Sequence, residues 1–392
     1  MTGPESVSVV QPGPDSIARD GNVAFRWDSV AGAASYELEI DDKATFITPV
    51  FDTTGVTDLA LTHFLPDGPY HWRVRARSRD SIWGDWSATT AFSVLTYVIA
   101  GQTRTRGYPE EFDVAGDYVY VADCQAGLSI YQLSTTNGNP VLVGSIMDTT
   151  NSAFGVSVAG HYAYVAYGRK QLQVVDIAKL DSLKMLGSIG YTTGYAYDVR
   201  ALDTTTVVVA NHVKFSVFDV TDPNFPILLY EPHATVRAVA MRDSTAFLAC
   251  EQLGLNTMTV SKHAEPVTLG AVRTLGEARD VVVQGRYAYV ADGRDGLTVV
   301  DIGDPANPQV AANCPIPGRG YANKVAVHDS LVLVADEVAG VAILDITNPV
   351  APLLRSVIKT DYAMAVAFHD GGKILATDRD AGLLVIEKEN EQ

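Results

Sequence analysis

Four aspartates, Asp123, Asp292, Asp336 and Asp378, each close a short apolar stretch, and each stands four residues ahead of a glycine, Gly127, Gly296, Gly340 and Gly382. Carboxylates that recur in this way could assemble a metal site. Calcium loops, however, gather several oxygen ligands into one short segment, as in D-x-D-x-D-G, whereas each aspartate here belongs to a separate repeat. The spacing favours a turn instead: the Asp accepts hydrogen bonds from the backbone of its own loop, and the Gly takes a conformation other residues resist. No metal and no cofactor is expected.

A second polar set precedes the innermost strands or follows the aspartate positions. From it the candidate ligand-binding residues are Glu111, Tyr197, Asp198, Arg237, Arg279, Asp280, Lys324, Arg169, His212, Arg294 and Arg379. A ring that mixes both charges with aromatic groups suits a polar ligand such as a sugar or a peptide segment. Glu110 and Glu111 are adjacent carboxylates, but neighbours on a strand point to opposite sides, so acid–base work would need a partner from another repeat. The sequence has no G-x-S-x-G, H-E-x-x-H or G-x-x-x-x-G-K-S/T motif and no dinucleotide-binding glycine run, and no catalytic residue is assigned. His161, His328 and His369 fall at turns on the opposite face.

The elements that carry these residues follow from a repeated phrase, clearest in GRYAYVADGRDGLTVVDIGDPANP (285–308), which occurs seven times between residues 112 and 387. Its first-strand ends are read at Asp123, Tyr167, Asn211, Glu251, Asp292, Asp336 and Asp378. A period of about 40–45 residues with four strands per unit predicts a β-propeller, here with seven blades. The last unit lacks an outer strand, because only EKENEQ follows Ile386. An unpaired edge invites aggregation, so TYVIAGQ (96–102) is expected to supply the missing strand.

Residues 1–95 read differently. Segments such as VAFRWDSV (23–30), SYELEIDD (35–42) and YHWRVRARS (70–78) alternate apolar and polar positions between Gly, Pro and Asp turns, which predicts a β-sandwich. Trp27, Tyr36, the Leu-Pro-Asp-Gly turn at 65–68, Tyr70 and Trp72 resemble a fibronectin type III domain. Arg73, Arg75 and Arg77 share one strand face, where Trp83 and Trp86 can stack on them, similar to the Trp-Arg ladder of cytokine-receptor modules.

The expected architecture is therefore all-β, a fibronectin type III-like sandwich (1–95) and a propeller (96–392). In the latter, YVAD-x₃-G-L-x-V-V-D-I-x-D-P resembles the LVIVD repeats of bacterial and archaeal surface proteins. That resemblance covers about 290 residues and implies a fold and a surface location, but little about activity.

A formal net charge of −17 and a pI near 4.8 argue against nucleic acid or an anionic membrane as partner. Cys124, Cys250 and Cys314 fall in three different repeats and are expected as free thiols. No apolar run is long enough to span a membrane. The opening MTGPESVSVVQPGPDS lacks the basic start and apolar centre of a signal peptide, so an extracellular location is expected only with a leader already removed. The function expected is a non-catalytic extracellular or cell-surface scaffold that binds a glycan or a protein partner through the propeller loop face. One alternative is a subunit that assembles with copies of itself. Another is a hydrolase or lyase with Glu111, Asp198, Arg237 and Asp280 converging at the axis.

Overall fold

The computed structural model describes residues 3–18, 21–133, 138–148, 150–190 and 194–389. Among them every regular element is a strand except a 3-10 turn at Asp370–Gly372, and no helix is long and apolar enough to cross a membrane. The chain divides into two compact units, residues 1–98 with 388–392, and residues 99–387.

The N-terminal unit has two sheets. One has the order Val9–Gln11, Asn22–Trp27, Ala60–Phe64; the other Ser16–Ala18, Thr90–Val94, Gly68–Ser78, Ala33–Asp41, Phe51–Val56. Period-two alternation decides what each strand buries. Along Gly68–Ser78, Tyr70, Trp72, Val74 and Ala76 turn inward, where Phe25 and Trp27 of the first sheet meet Leu38, Ile40 and Phe92 of the second. The alternate positions carry Arg73, Arg75 and Arg77. Arg73 lies 4.4 Å from the Trp86 ring, Arg75 lies 4.3 Å from Trp86 and 4.6 Å from Trp83, and Arg77 lies 5.1 Å from Trp83. The strand register sets Glu39 opposite Arg73 and Glu37 opposite Arg75, and both pairs form ion pairs. Each of these two guanidinium groups is thus held by a ring and a carboxylate together.

Residues 99–387, with the strand that begins at Tyr97, form seven four-stranded antiparallel sheets, an arrangement consistent with a seven-bladed propeller; the sheets are called blades one to seven below. Their innermost strands, Glu111–Ala115, Gly155–Ala159, Ala196–Ala201, Ala238–Arg242, Asp280–Gln284, Lys324–His328 and Ala363–His369, touch in order, and the last touches the first. Blade seven has the order Ala363–His369, Lys373–Asp378, Gly382–Lys388, Tyr97–Thr103, so an early segment completes the last sheet. Second strands are apolar almost throughout because both faces are covered by neighbouring blades, as at Val165, Val209, Leu248, Val290 and Val334.

Two expectations need correction. In the fourth repeat the strand-end residue is Cys250 rather than Glu251: Cys250 N donates to Gly254 O just as Asp123 N donates to Gly127 O and Asp292 N to Gly296 O. Glu251 is the left-handed residue that follows (φ 49°), matching Cys124 (φ 46°) and Glu337 (φ 43°). An acidic side chain one place off the repeat imitated the pattern. The turn glycines do adopt positive φ, 78° at Gly127 and 74° at Gly296. The aspartates, however, do not all cap their own turns. Asp378 does, accepting from Asp380 N and Ala381 N, but Asp123 accepts from Arg106 N and Ser129 Oγ, and Asp292 from Thr274 Oγ1, Gly276 N and Thr298 Oγ1. They tie the incoming chain and the third strand to the second.

Candidate functional site

The register identifies one equivalent position in every blade, the residue paired with Ala122, Ala166, Ala210, Ala249, Ala291, Ala335 or Thr377. It is occupied by Glu111, Gly155, Asp198, Ala238, Asp280, Lys324 and Ala365 in turn. Four of the seven are ionisable and all four are largely buried, and they come together. Lys324 Nζ lies 3.1 Å from Glu111 Oε2 and 3.8 Å from Asp280 Oδ1. Arg200, two residues beyond Asp198 on the same strand face, places Nη2 3.0 Å from Glu111 Oε1 and 3.6 Å from Asp198 Oδ1.

This cluster has a structural task. The innermost strand of a blade leaves one edge without a ladder partner, and its buried N–H groups still need acceptors. Asp198 Oδ2 accepts from Val239 N at 2.9 Å and Asp280 Oδ2 from Val325 N at 2.9 Å, so each carboxylate fastens its blade to the next. Asp113 does the same for Val158 N at 2.7 Å.

Three carboxylates face two cations, and the imbalance falls on Glu111. Burial, and then the charge of Asp198, push its carboxyl up to about 7 against the pull of Lys324 and Arg200. Burial likewise raises Asp280. Burial opposes the charge on Lys324 and Arg200, but the surrounding carboxylates outweigh it, and both sit above their ordinary values.

Glu111, Arg200, Asp280 and Lys324 line a cavity of about 420 Å³, whose remaining wall is innermost-strand residues such as Ala240, Ala326 and Ala367. Lys324 also lines a second cavity, of about 30 Å³, enclosed by Glu110, Phe154, Tyr197, Arg237, Arg279 and Asn323. Arg237 rests 3.8 Å over the Tyr197 ring, which in turn meets Phe154 edge-on at 5.7 Å. Arg279 Nη2 donates to Asn323 Oδ1 at 3.4 Å. Burial, with Arg279 nearby, holds Arg237 below its ordinary value, and burial raises Glu110 despite the four cations around it.

The candidate residues therefore divide. Glu111, Asp198, Asp280 and Lys324 form the ionic cluster at the axis; Tyr197, Arg237 and Arg279 line the smaller cavity, called the mouth below. Arg169, His212, Arg294 and Arg379 line neither cavity. Arg169 Nε donates to Tyr195 Oη at 3.1 Å, His212 Nδ1 lies 3.4 Å from Glu251 Oε1, and Arg379 sits 5.4 Å from the Tyr108 ring and 5.5 Å from that of Tyr362. Arg294 lies beside Glu277, whose carboxyl is held low by the Tyr321 hydroxyl first and by Arg279 and Arg294 in addition.

Sequence reasoning missed Arg200 and four rim tyrosines. The tyrosines carried a signal, since Tyr108, Tyr195, Tyr321 and Tyr362 each stand three residues ahead of the axial position in their blades. Among the described residues no group of three His, Cys, Asp or Glu side chains could hold a metal ion.

LVIVD repeats are matched at four places in the chain, residues 106–148, 151–191, 275–315 and 319–360. They contain Glu111, Asp280 and Lys324, whereas Asp198, Arg200 and Arg237 lie outside them. A crystal structure of the computationally designed Ika8 protein is similar over 73% of this chain and 98% of its own, with a TM-score of 0.53 and 10% identity, a likeness of fold alone. No curated protein matches the chain.

Proposed function

We propose that this chain, with its four LVIVD repeats, is a non-catalytic binding module of the cell surface or extracellular space, and that the axial mouth takes a carboxylate from a protein partner. One observation carries the reading: in a chain of net charge −17, Arg237, Arg279 and Lys324 line a single small cavity in which Glu110 is the one acid. A guanidinium presents a planar fork that suits a carboxylate. The cavity, about 30 Å³, has room for a small group rather than a sugar ring. The surrounding arginine and tyrosine rim has the composition of interface hot spots, and the stacking of Arg237 on Tyr197 lowers the cost of ordering it.

The seven sheets are read as a closed seven-bladed propeller, supported by the cyclic contacts of the innermost strands. A fibronectin type III-like identity for the N-terminal unit is supported by its two sheets around one core, by the bond from Tyr70 Oη to Pro66 O, and by the arginine–tryptophan ladder. The surface location rests on the resemblance to LVIVD repeats. Acid–base chemistry at the axis is the second reading, favoured by Glu111 beside the larger cavity. Against it, Asp198 and Asp280 already serve backbone N–H groups and Glu111 is held between two cations.

An array of acidic and neutral peptides and glycans, probed with the wild type and with Arg237→Ala/Arg279→Ala, tests the proposal. Acidic peptides should be the ligands that the double variant loses.

A further inference from the structure

A further cleft in this unit lies away from the axis. It measures about 760 Å³ and runs between the connection from the outer strand of blade seven to blade one, which contributes Arg104, Arg106 and Tyr108, and the turn and outer strand of blade one, which contribute Gln125, Ser145 and Met147. No Asp or Glu lines it. Neither arginine lies within ion-pair distance of a carboxylate among the described residues. In a chain with 46 acidic and 29 basic residues, two uncompensated guanidinium groups in one cleft call for a negatively charged occupant.

Comparison with blade five shows which residues build the backbone here and which do not. Arg104-Thr105-Arg106-Gly107 matches Arg273-Thr274-Leu275-Gly276. Both stretches are anchored on the strand-end aspartate, Arg106 N at 2.9 Å from Asp123 Oδ2 and Gly276 N at 3.1 Å from Asp292 Oδ2. Both glycines press on that residue's carbonyl, leaving no room for a Cβ. The anchoring needs only the backbone, Thr and Gly. The position that holds Arg106 in blade one is an exposed leucine in blade five, so the Arg106 side chain is not required by the fold.

We propose that this cleft binds an anionic saccharide. Small-molecule sites typically enclose about 300–1,000 Å³, and this one falls within that range. Arg106 Nη1 donates to Ser145 Oγ at 2.6 Å, which fixes the direction of its fork. Tyr108 remains 49% exposed and Met147 55%, giving a sugar ring an apolar face, while Gln125 offers both a donor and an acceptor to hydroxyl groups. A free acidic side chain would use the arginines and leave Tyr108 uncovered. The cleft shares Tyr108 with the rim of the axial mouth but none of the cations that line the mouth.

Isothermal titration at low salt with trigalacturonate, neutral maltotriose, glucose 6-sulfate and an Asp/Glu tripeptide tests the assignment. Trigalacturonate or the sulfated sugar should bind, and which of the two is tighter identifies the charged group. Arg104→Ala/Arg106→Ala should weaken binding at least tenfold, and Arg106→Lys, which keeps the charge without the fork, should weaken it less. Arg237→Ala/Arg279→Ala should leave it unchanged. Since both cleft arginines are exposed, the variants should fold, as circular dichroism will verify. The proposal is overturned if neither charged sugar binds, if maltotriose or the tripeptide binds as well, or if the cleft substitutions have no effect.

Discussion

Lys324 Nζ stands 3.1 Å from Glu111 Oε2, joining blade six to blade one across the axis. The same ammonium lines both the larger cavity and the mouth. Whatever the mouth binds is therefore held against a cluster that also fastens the ring.

Removing that ammonium should cost stability. Lys324→Met leaves Glu111 and Asp280 buried with less compensation, and breaking a buried pair from one side costs about 3–5 kcal/mol. Urea unfolding should show a loss of that order, and Glu111→Gln in the same chain should restore part of it. A loss below about 1 kcal/mol would mean that water reaches the cluster freely.

The pH dependence has a defined sign. The Glu111 carboxyl is raised to about 7 by burial and Asp198, and that of Asp336 to about 7 by burial and Glu337. A raised carboxyl binds its proton more tightly in the folded state, so its contribution is full below the ordinary carboxylate range and is lost as pH rises through about 7. The melting temperature should fall between about pH 4 and pH 7 through these groups, and Glu111→Gln and Asp336→Asn should each flatten the slope. Glu110, Asp123 and Asp280, also raised by burial, would sustain the remainder. An unchanged slope in both variants would contradict the assignment.

Gly155 occupies the axial position of blade two because nothing larger fits. A Cβ there would meet Tyr197 O at 2.7 Å, Glu111 Oε2 at 2.9 Å and Asp198 Cα at 3.0 Å. Gly155→Ala should destabilise by about 1–3 kcal/mol, as overpacking does. Gly13→Ala, where a Cβ meets nothing within 4 Å, should be close to neutral in the same thermal melts.

Much of this architecture was legible in the sequence because a propeller repeats one local solution. The strand period, the turn glycines and the early strand that completes blade seven all follow from spacing and from the need to cover an edge. The axial cluster was legible only in part. Glu111, Asp280 and Lys324 open their strands and Asp198 stands near the start of its own, at boundaries where charge attracts notice, but Arg200 lies deeper inside a strand, and only the register puts it on the axial face. The division into mouth and cluster arises because consecutive strand residues face opposite ways, which adjacent candidates such as Tyr197 and Asp198 conceal. Glu251 misled for the opposite reason, since a residue type fitted the pattern one place from where the hydrogen bonds set it.

Recognition of a carboxylate by the mouth is open to direct test. The most direct measurement compares acidic peptides drawn from the array with the same peptides carrying amides in place of their carboxyl groups, titrated into the wild type and into Arg237→Ala/Arg279→Ala. The amides should bind the wild type at least tenfold more weakly, a difference of about 1.4 kcal/mol, and the double variant should lose the distinction. Equal affinity for acid and amide in the wild type, or a distinction that survives without both arginines, would contradict carboxylate recognition.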